Sequence, residues 1–116
     1  MDTATASTSS SFRYTGPDKL SLPVERALRR VVDPEIAMNI VDVGLVYEVT
    51  VDADRVHVLM TMTSAACPVA DVILDEVGIE LERAVPEDRR IELELTWEPP
   101  WTPDRMSPHA RRFMGW

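Results

Sequence analysis

The sequence predicts an α+β fold of two layers, in which helices cover one face of a three-stranded mixed sheet. Three observations support this prediction. Two long segments place their apolar residues on one face of a helix, three segments alternate apolar and polar residues, and they follow one another as helix, strand, strand, helix, strand and short helix. The chain has 116 residues, of which 45% are hydrophobic, so one compact domain is expected.

The N-terminal part of the chain is predicted to consist of a tail and a helix. Residues 1–17 form a Ser/Thr-rich stretch without apolar periodicity, so we expect a disordered tail and a domain that spans residues 18–116. The first helix begins near Leu20, where apolar residues start to recur at helical spacing. Asp33-Pro34 ends this pattern, because a residue that precedes proline avoids the helical conformation.

Residues 33–44 are predicted to be an ordered loop. Short polar side chains in this stretch can hydrogen-bond to the backbone nearby and fix an irregular conformation. They are Asp33, Glu35, Asn39 and Asp42. Their oxygen atoms could also form a site for a hard cation, but the spacing matches no EF-hand pattern, so bracing of the loop is the preferred interpretation.

The next segments are predicted to be two strands of a hairpin. Tyr47, Val49 and Val51 alternate with polar residues, apolar residues again occupy every second position from Val56 to Met62, and a short Asp-rich turn separates the two segments. The two strands are therefore expected to pair in antiparallel fashion.

A second long helix and a third strand complete the predicted sheet. Residues 68–85 have the spacing of an amphipathic helix, and residues 91–97 show the clearest alternation in the chain. Because a helix crosses over between the second and third strands, the third strand should run parallel to the second. Ser107-Pro108 suits the start of a short terminal helix that reaches Met114.

Composition restricts the partners and the location. With 20 acidic and 12 basic residues the net charge is -8, which argues against nucleic acid as a partner. Neither a secretory leader nor an apolar stretch of membrane-spanning length is apparent, so no membrane association is expected. A single cysteine cannot form an internal disulfide, which favours the cytoplasm. A small sheet with open edges would gain cover from dimerisation, so we expect a homodimer.

Cys67 is the residue best placed for chemistry. It directly precedes Pro68, a residue suited to the first helical position, so its thiol is expected at a helix N-cap. Free backbone N–H groups and the helix dipole favour a thiolate there, and a thiolate binds soft metals or attacks electrophiles. Spacing alone leaves a second interpretation open, in which Cys67 is a small hydrophobic residue packed beneath the loop.

Several spaced motifs resemble those of a known family. They are Asp33-Pro34-Glu35-Ile36, the run from Asn39 to Tyr47, Thr61-Met62-Thr63, Cys67-Pro68, the run from Trp97 to Trp101, and Met106-Ser107. In this order, over residues 20–115, they resemble the PaaD/SufT-like family of iron-sulfur cluster assembly proteins, and most closely its SufT-like branch. One departure is Ala65-Ala66, where the family often has a glycine before the cysteine.

The resemblance implies the fold predicted above and a role as a maturation factor that is not an enzyme. Such a factor helps to deliver iron or iron-sulfur clusters to apoprotein clients, together with other iron-sulfur assembly proteins. Cys67 is then the residue that contacts transient iron or a cluster. The residues expected to support it are Asp33, Glu35, Asn39, Asp42, Thr61 and Thr63.

The chain offers few side chains that could bind a cluster, and two alternative functions stay open. A cluster usually takes four thiolates, whereas this chain offers one cysteine, with His57 and His109 expected at the surface, so any bound cluster would be shared and labile. One alternative is an accessory or docking protein of a multicomponent diiron oxygenase. The other is a thiol enzyme with Cys67 as nucleophile, which would lack the usual histidine base.

Overall fold

The computed structural model describes residues 12–63, 70–85 and 89–115. Its strands are β1 (Arg13–Thr15), β2 (Val32–Asp33), β3 (Met38–Asn39), β4 (Val46–Val51), β5 (Arg55–Met60) and β6 (Arg90–Leu95). Its helices are α1 (Asp18–Arg29), α2 (Ile40–Val43), α3 (Ala70–Ala84) and α4 (Pro108–Met114), with a 3-10 turn at Pro103–Arg105. The predicted α+β class is confirmed.

The main sheet is mixed in direction and has the strand order β1-β4-β5-β6. Strands β4 and β5 form the predicted antiparallel hairpin, and β6 pairs with β5 in parallel. The prediction of three strands is wrong by one, because β1 adds a parallel strand beside β4. A second, two-stranded sheet joins β2 to β3.

The added strand lies within the segment that was predicted to be a disordered tail. Tyr14 lies opposite Val49 in the β1–β4 pairing, and Phe12 just before it is only 8% exposed. The prediction of disorder is therefore wrong for residues 12–17, while residues 1–11 lie outside the described part of the chain. A three-residue parallel strand is too short to show alternation, so its tertiary partner decides its conformation.

The predicted loop of residues 33–44 also contains regular structure. Helix α1 ends at Arg29, before the Asp33-Pro34 boundary, and the two-residue strands β2 and β3 enclose a tight turn. The one-turn helix α2 follows directly. All three elements are too short for a periodic signal, although short polar residues do fix them, as the sequence indicated.

The core lies between the sheet and the helices. From the sheet, Val56, Val58 and Met60 are fully buried, and from α3 so are Ile73, Val77 and Leu81. The opposite face of the sheet is polar: Arg55 Nη1 lies 2.7 Å from Glu92 Oε1, and His57 Nε2 lies 3.0 Å from Glu94 Oε1. This face can therefore meet water directly. Within the described ranges, no helix has the length and apolarity needed to cross a bilayer.

Candidate functional site

Asp33 shapes the turn between β2 and β3. Its side chain is almost completely buried, and its Oδ1 accepts a hydrogen bond of 2.9 Å from the backbone N–H of Glu35. Its carbonyl oxygen accepts a bond of 2.7 Å from the N–H of Ala37, which has a left-handed φ of 65°. Asp33 therefore holds the backbone of this turn, whereas the side chain of Glu35 is exposed.

Asp42 is the centre of a polar network that joins three parts of the chain. The side chain of Asn39 caps α2 by accepting from the N–H of Asp42 at 2.9 Å, and its Nδ2 donates to Asp42 Oδ2 at 2.9 Å. Arg29 on α1 donates to Asp42 Oδ1 at 3.3 Å, and the Ser107 N–H donates to the Asp42 carbonyl at 2.8 Å. The structure thus brings together Asn39 and Asp42, as loop bracing requires.

The charge of Asp42 is stabilised by these neighbours. Burial raises the pKa of its carboxyl group, but hydrogen bonds from Asn39 and Ser107 and the positive charge of Arg29 outweigh burial and lower the pKa below its ordinary value. Asp42 is therefore an anion that holds α1, α2 and the C-terminal region together.

Residues 97–107, which we call the C-terminal strap, lie against α2 and the start of β4. Trp101 Nε1 donates to the Val43 carbonyl at 2.8 Å, and the Tyr47 hydroxyl donates to the Pro99 carbonyl at 2.7 Å. The guanidinium of Arg105 lies 4.4 Å from the centroid of the Tyr47 ring. Sequence reasoning missed this role of Arg105 and of Arg29, because their partners are distant in sequence and leave no local pattern.

Gly44 is the point of closest approach between α2 and the strap. It caps α2 with a left-handed φ of 87°, and a Cβ placed there would overlap the carbonyl oxygen of Arg105. Only glycine satisfies both the conformation and the space. The isolated glycine between Val43 and Leu45 was the sequence signal for this contact.

Thr61 is bonded to the backbone that follows α2, and its side chain lies in the interior of the protein. Its N–H donates to the Leu45 carbonyl at 2.8 Å, directly after the Gly44 cap, and its side chain is 0% exposed. Among the described residues, its hydroxyl is the only buried side-chain oxygen or nitrogen without a hydrogen-bond partner. Thr63, two residues further on, is half-buried.

Cys67 lies in the segment 64–69, outside the described residues, and so do Ala65 and Ala66. Its predicted position at a helix N-cap therefore stays a prediction. The described residues that border this segment are Thr63, just past β5, and Ala70, which begins α3. Within the described ranges, no three His, Asp or Glu side chains come together as ligands of a metal ion.

The two histidines lie at the surface. His57 pairs with Glu94 on the open face of the sheet, and His109 is exposed on α4. Both positions agree with the expectation that the two histidines lie at the surface.

Comparison with known proteins gives concordant matches. A family described as "Iron-sulfur cluster assembly protein" matches residues 23–93, a range that includes every predicted site residue. The Fe-S protein maturation auxiliary factor YitW of Bacillus subtilis (strain 168) is 47% identical over 90 residues, which cover 77% of this chain and 87% of that protein. The Fe-S protein maturation auxiliary factor SufT of Staphylococcus aureus (strain USA300) is 43% identical over 86 residues, covering 73% and 97%.

A solved structure matches the fold as well. The crystal structure of the domain of unknown function DUF59 from Bacillus anthracis superimposes with a TM-score of 0.78 at 39% sequence identity, covering 84% of this chain and 93% of that one. The strap, which begins at residue 97, lies beyond the range that the family match covers.

Proposed function

The chain belongs to the iron-sulfur cluster assembly protein family, and from this premise we propose that it is a SufT-like maturation factor that helps to deliver iron or iron-sulfur clusters to apoproteins. Two relatives, matched over 87% and 97% of their own length, carry the name of maturation auxiliary factor. The further parts of the proposal are that it acts in the cytoplasm without catalysing a reaction, and that its partners are apoprotein clients and other assembly proteins.

Cys67 is the proposed contact with the cargo. It is the only thiol in the chain, and thiolate is the usual protein ligand of iron-sulfur clusters. One thiolate cannot complete the coordination of a cluster, so the remaining ligands would come from a second copy, a client or a small thiol. Cargo held by so few bonds is easily passed on, which suits a delivery protein better than an electron carrier.

The buried hydroxyl of Thr61, which has no partner among the described residues, is the observation that supports the proposed location of the site. An unpaired hydroxyl in the interior lowers stability by about 1–3 kcal/mol, so its presence needs an explanation. Thr61 lies just past β5, at the start of the stretch that leads to Cys67. Its backbone is held by the hydrogen bond from its N–H to the Leu45 carbonyl. In this proposal the hydroxyl donates its hydrogen bond to the Cys67 thiolate or to a sulfide of bound cargo.

The acidic loop then has a positioning role. Asp33 holds the turn before α2, and Asn39 and Asp42 fix α2 itself. Leu45 directly follows the C-cap residue of α2, and its carbonyl accepts the hydrogen bond from Thr61. In this proposal these side chains keep their own hydrogen bonds and do not ligate the metal.

Anaerobic reconstitution with ferrous iron and sulfide tests the proposal. The wild-type chain and the variants Cys67→Ser and Thr61→Val are compared by visible absorption and iron counting, and then by transfer to an apoprotein that needs a cluster. We expect Cys67→Ser to retain little iron and to transfer none, and Thr61→Val to release its cargo several-fold faster. The controls His57→Gln and His109→Gln remove the two imidazole groups of the chain, which are the alternative candidates for a metal ligand, and should behave like the wild type.

Equal iron retention and transfer by the wild type and Cys67→Ser would overturn the proposed contact. Cargo lost from the histidine controls instead would assign it to an imidazole ligand.

A further inference from the structure

Strand β6 is the longer of the two edges of the main sheet. The other edge, β1, is only three residues long, and a short edge strand offers little to a second chain. In contrast, β6 pairs with β5 over six consecutive residues without a register shift, and β5 is its only strand partner among the described residues. Ile91 and Leu93 are only partly buried, although the strand residues opposite them, Val56 and Val58, are fully buried.

The hydrogen bonds to β5 determine which backbone groups of β6 remain outside. The N–H of Arg90 donates to the Asp54 carbonyl at 2.9 Å, and that of Thr96 donates to the Met60 carbonyl at 2.8 Å. Backbone groups alternate in direction along a strand, so those of even-numbered residues point toward β5. The N–H and C=O groups of Ile91, Leu93 and Leu95 therefore point away from the sheet and are positioned to pair with another strand.

We propose that the occupant of this edge is the β6 strand of a second copy of the chain, paired antiparallel around a two-fold axis at Glu92. In this register Ile91 lies opposite Leu93 of the other copy, and both residues have outward backbone groups that can bond. Arg90 lies opposite Glu94 of the other copy, and the two-fold axis repeats this pair of opposite charges. The two β sheets would then form one continuous sheet.

Charge selects this register over its neighbour. An axis at Leu93 would set Glu92 opposite Glu94 twice, which is unfavourable between adjacent strands. With the axis at Glu92, the like pair occurs once and is compensated, because Arg55 and Arg90 lie 2.7 Å and 3.4 Å from the Glu92 carboxylate in each copy. The charges of Arg90, Glu92 and Glu94 also disfavour pairing with a strand of arbitrary sequence. This explains how a six-residue edge strand can pair with its own copy and not with other proteins.

Helix α3 leaves room for a second copy above this edge. Glu80 marks the side of α3 that faces α1, because it lies 2.9 Å from Arg30. Gly78 lies on the opposite side of the helix, and a Cβ there would meet no atom of the described residues within 4 Å. A second α3 could therefore approach closely over the joined strands.

Charge exchange tests the interface with the full chain and without any metal, so its outcome is independent of the cluster chemistry. Sedimentation over a concentration series should show a species of about twice 13.1 kDa for the wild type. The variants Arg90→Glu and Glu94→Arg should each raise the dissociation constant by roughly tenfold or more, because each turns both attractive pairs into like-charge pairs. The control Arg111→Glu, on exposed α4, changes the net charge by the same amount as Arg90→Glu and should leave association unchanged.

Two combinations separate a specific contact from a general loss of stability. The double variant with both exchanges should dimerise like the wild type, and an equimolar mixture of the two single variants should form heterodimers, since opposite charges meet again in both cases. A monomeric wild type at every concentration would overturn the proposal, and so would single variants that associate normally or combinations that fail to restore association.

A crosslink tests the register. In a Cys67→Ser background, Glu92→Cys places two thiols opposite each other across the axis at a Cα separation of about 4.5 Å, which suits a disulfide. Glu94→Cys in the same background places them several residues apart. We expect rapid oxidation to a covalent dimer for the first variant alone. Crosslinking through position 94 instead would overturn the assigned register.

Discussion

The contact between Gly44 and Arg105 allows one substitution to be analysed with an internal control. Gly44→Ala adds a single methyl group at a helix C-cap whose φ is 87°. Gly115→Ala makes the same change at the cap of α4, where φ is 77° and a Cβ would meet no atom within 4 Å in the part of the chain that the structure describes. Both variants therefore adopt an unfavourable backbone conformation, but only the first adds a steric overlap.

The expected loss of stability follows from two terms. A left-handed conformation costs a non-glycine residue about 1–2 kcal/mol. At position 44 the added Cβ would also lie 2.7 Å from the Arg105 carbonyl carbon, and backbone atoms cannot rotate aside as a flexible side chain would. The strap must then move away, which weakens the Trp101 and Ser107 hydrogen bonds to α2, each contributing about 1 kcal/mol.

Gly44→Ala should therefore lower the free energy of unfolding by about 3–5 kcal/mol, and Gly115→Ala by about 1 kcal/mol or less, since a terminal helix frays. Urea unfolding followed by far-UV circular dichroism measures both values, and tryptophan fluorescence reports the environment of Trp101. If the two variants lost the same stability, the strap would not be held against Gly44 as described, and the steric part of the reasoning would fail.

Three further predictions concern single residues. Asp42→Asn should lower the free energy of unfolding by about 1–2 kcal/mol at neutral pH. Because the pKa of Asp42 is lowered in the folded state, its contribution is present above its unfolded pKa and is lost as the pH falls through the folded pKa. Urea titrations should therefore show the difference in stability from the wild type closing below about pH 4. Thr61→Val should raise stability by about 1 kcal/mol in urea unfolding by removing a buried hydroxyl that has no partner among the described residues, and a loss of stability would show that the hydroxyl is bonded within the fold. Gly78→Ala should raise the unfolding free energy of the monomer, measured at low protein concentration, by about 0.5–1 kcal/mol, because it removes a flexible residue from the interior of α3 without a clash with the described residues of the same chain; a decrease would mean that the space is occupied within the fold.

The sequence predicted those elements whose side chains repeat along the chain. Val56, Val58 and Met60 recur at every second position, Ile91 and Leu93 alternate with glutamates, and these patterns were sufficient for the hairpin and the third strand. Ser107 was identified as a helix cap for a local reason, and its hydroxyl does accept from the Ala110 N–H at 3.1 Å. Patterns of this kind depend only on neighbours in sequence.

The remaining features depend on tertiary contacts. Strand β1 has three residues and takes its conformation from β4, so no alternation could reveal it. The sequence placed Asp42 in a bracing loop, but its bond to Arg29 joins residues that are 13 positions apart, and its bond to Ser107 joins opposite halves of the chain. That the Thr61 hydroxyl is buried without a partner in the described part of the chain could not be predicted either, because burial is a property of the packed structure.

The strap and the candidate site are joined by a short path through the backbone. Trp101 bonds to the carbonyl of Val43, Gly44 follows and fixes the end of α2, and the next carbonyl, that of Leu45, holds the N–H of Thr61. A shift of the strap therefore moves the backbone that positions Thr61, although the strap lies beyond the family match. It follows that Gly44→Ala should impair cargo retention as well as stability, whereas Gly115→Ala, which acts on α4 alone, should leave retention unchanged.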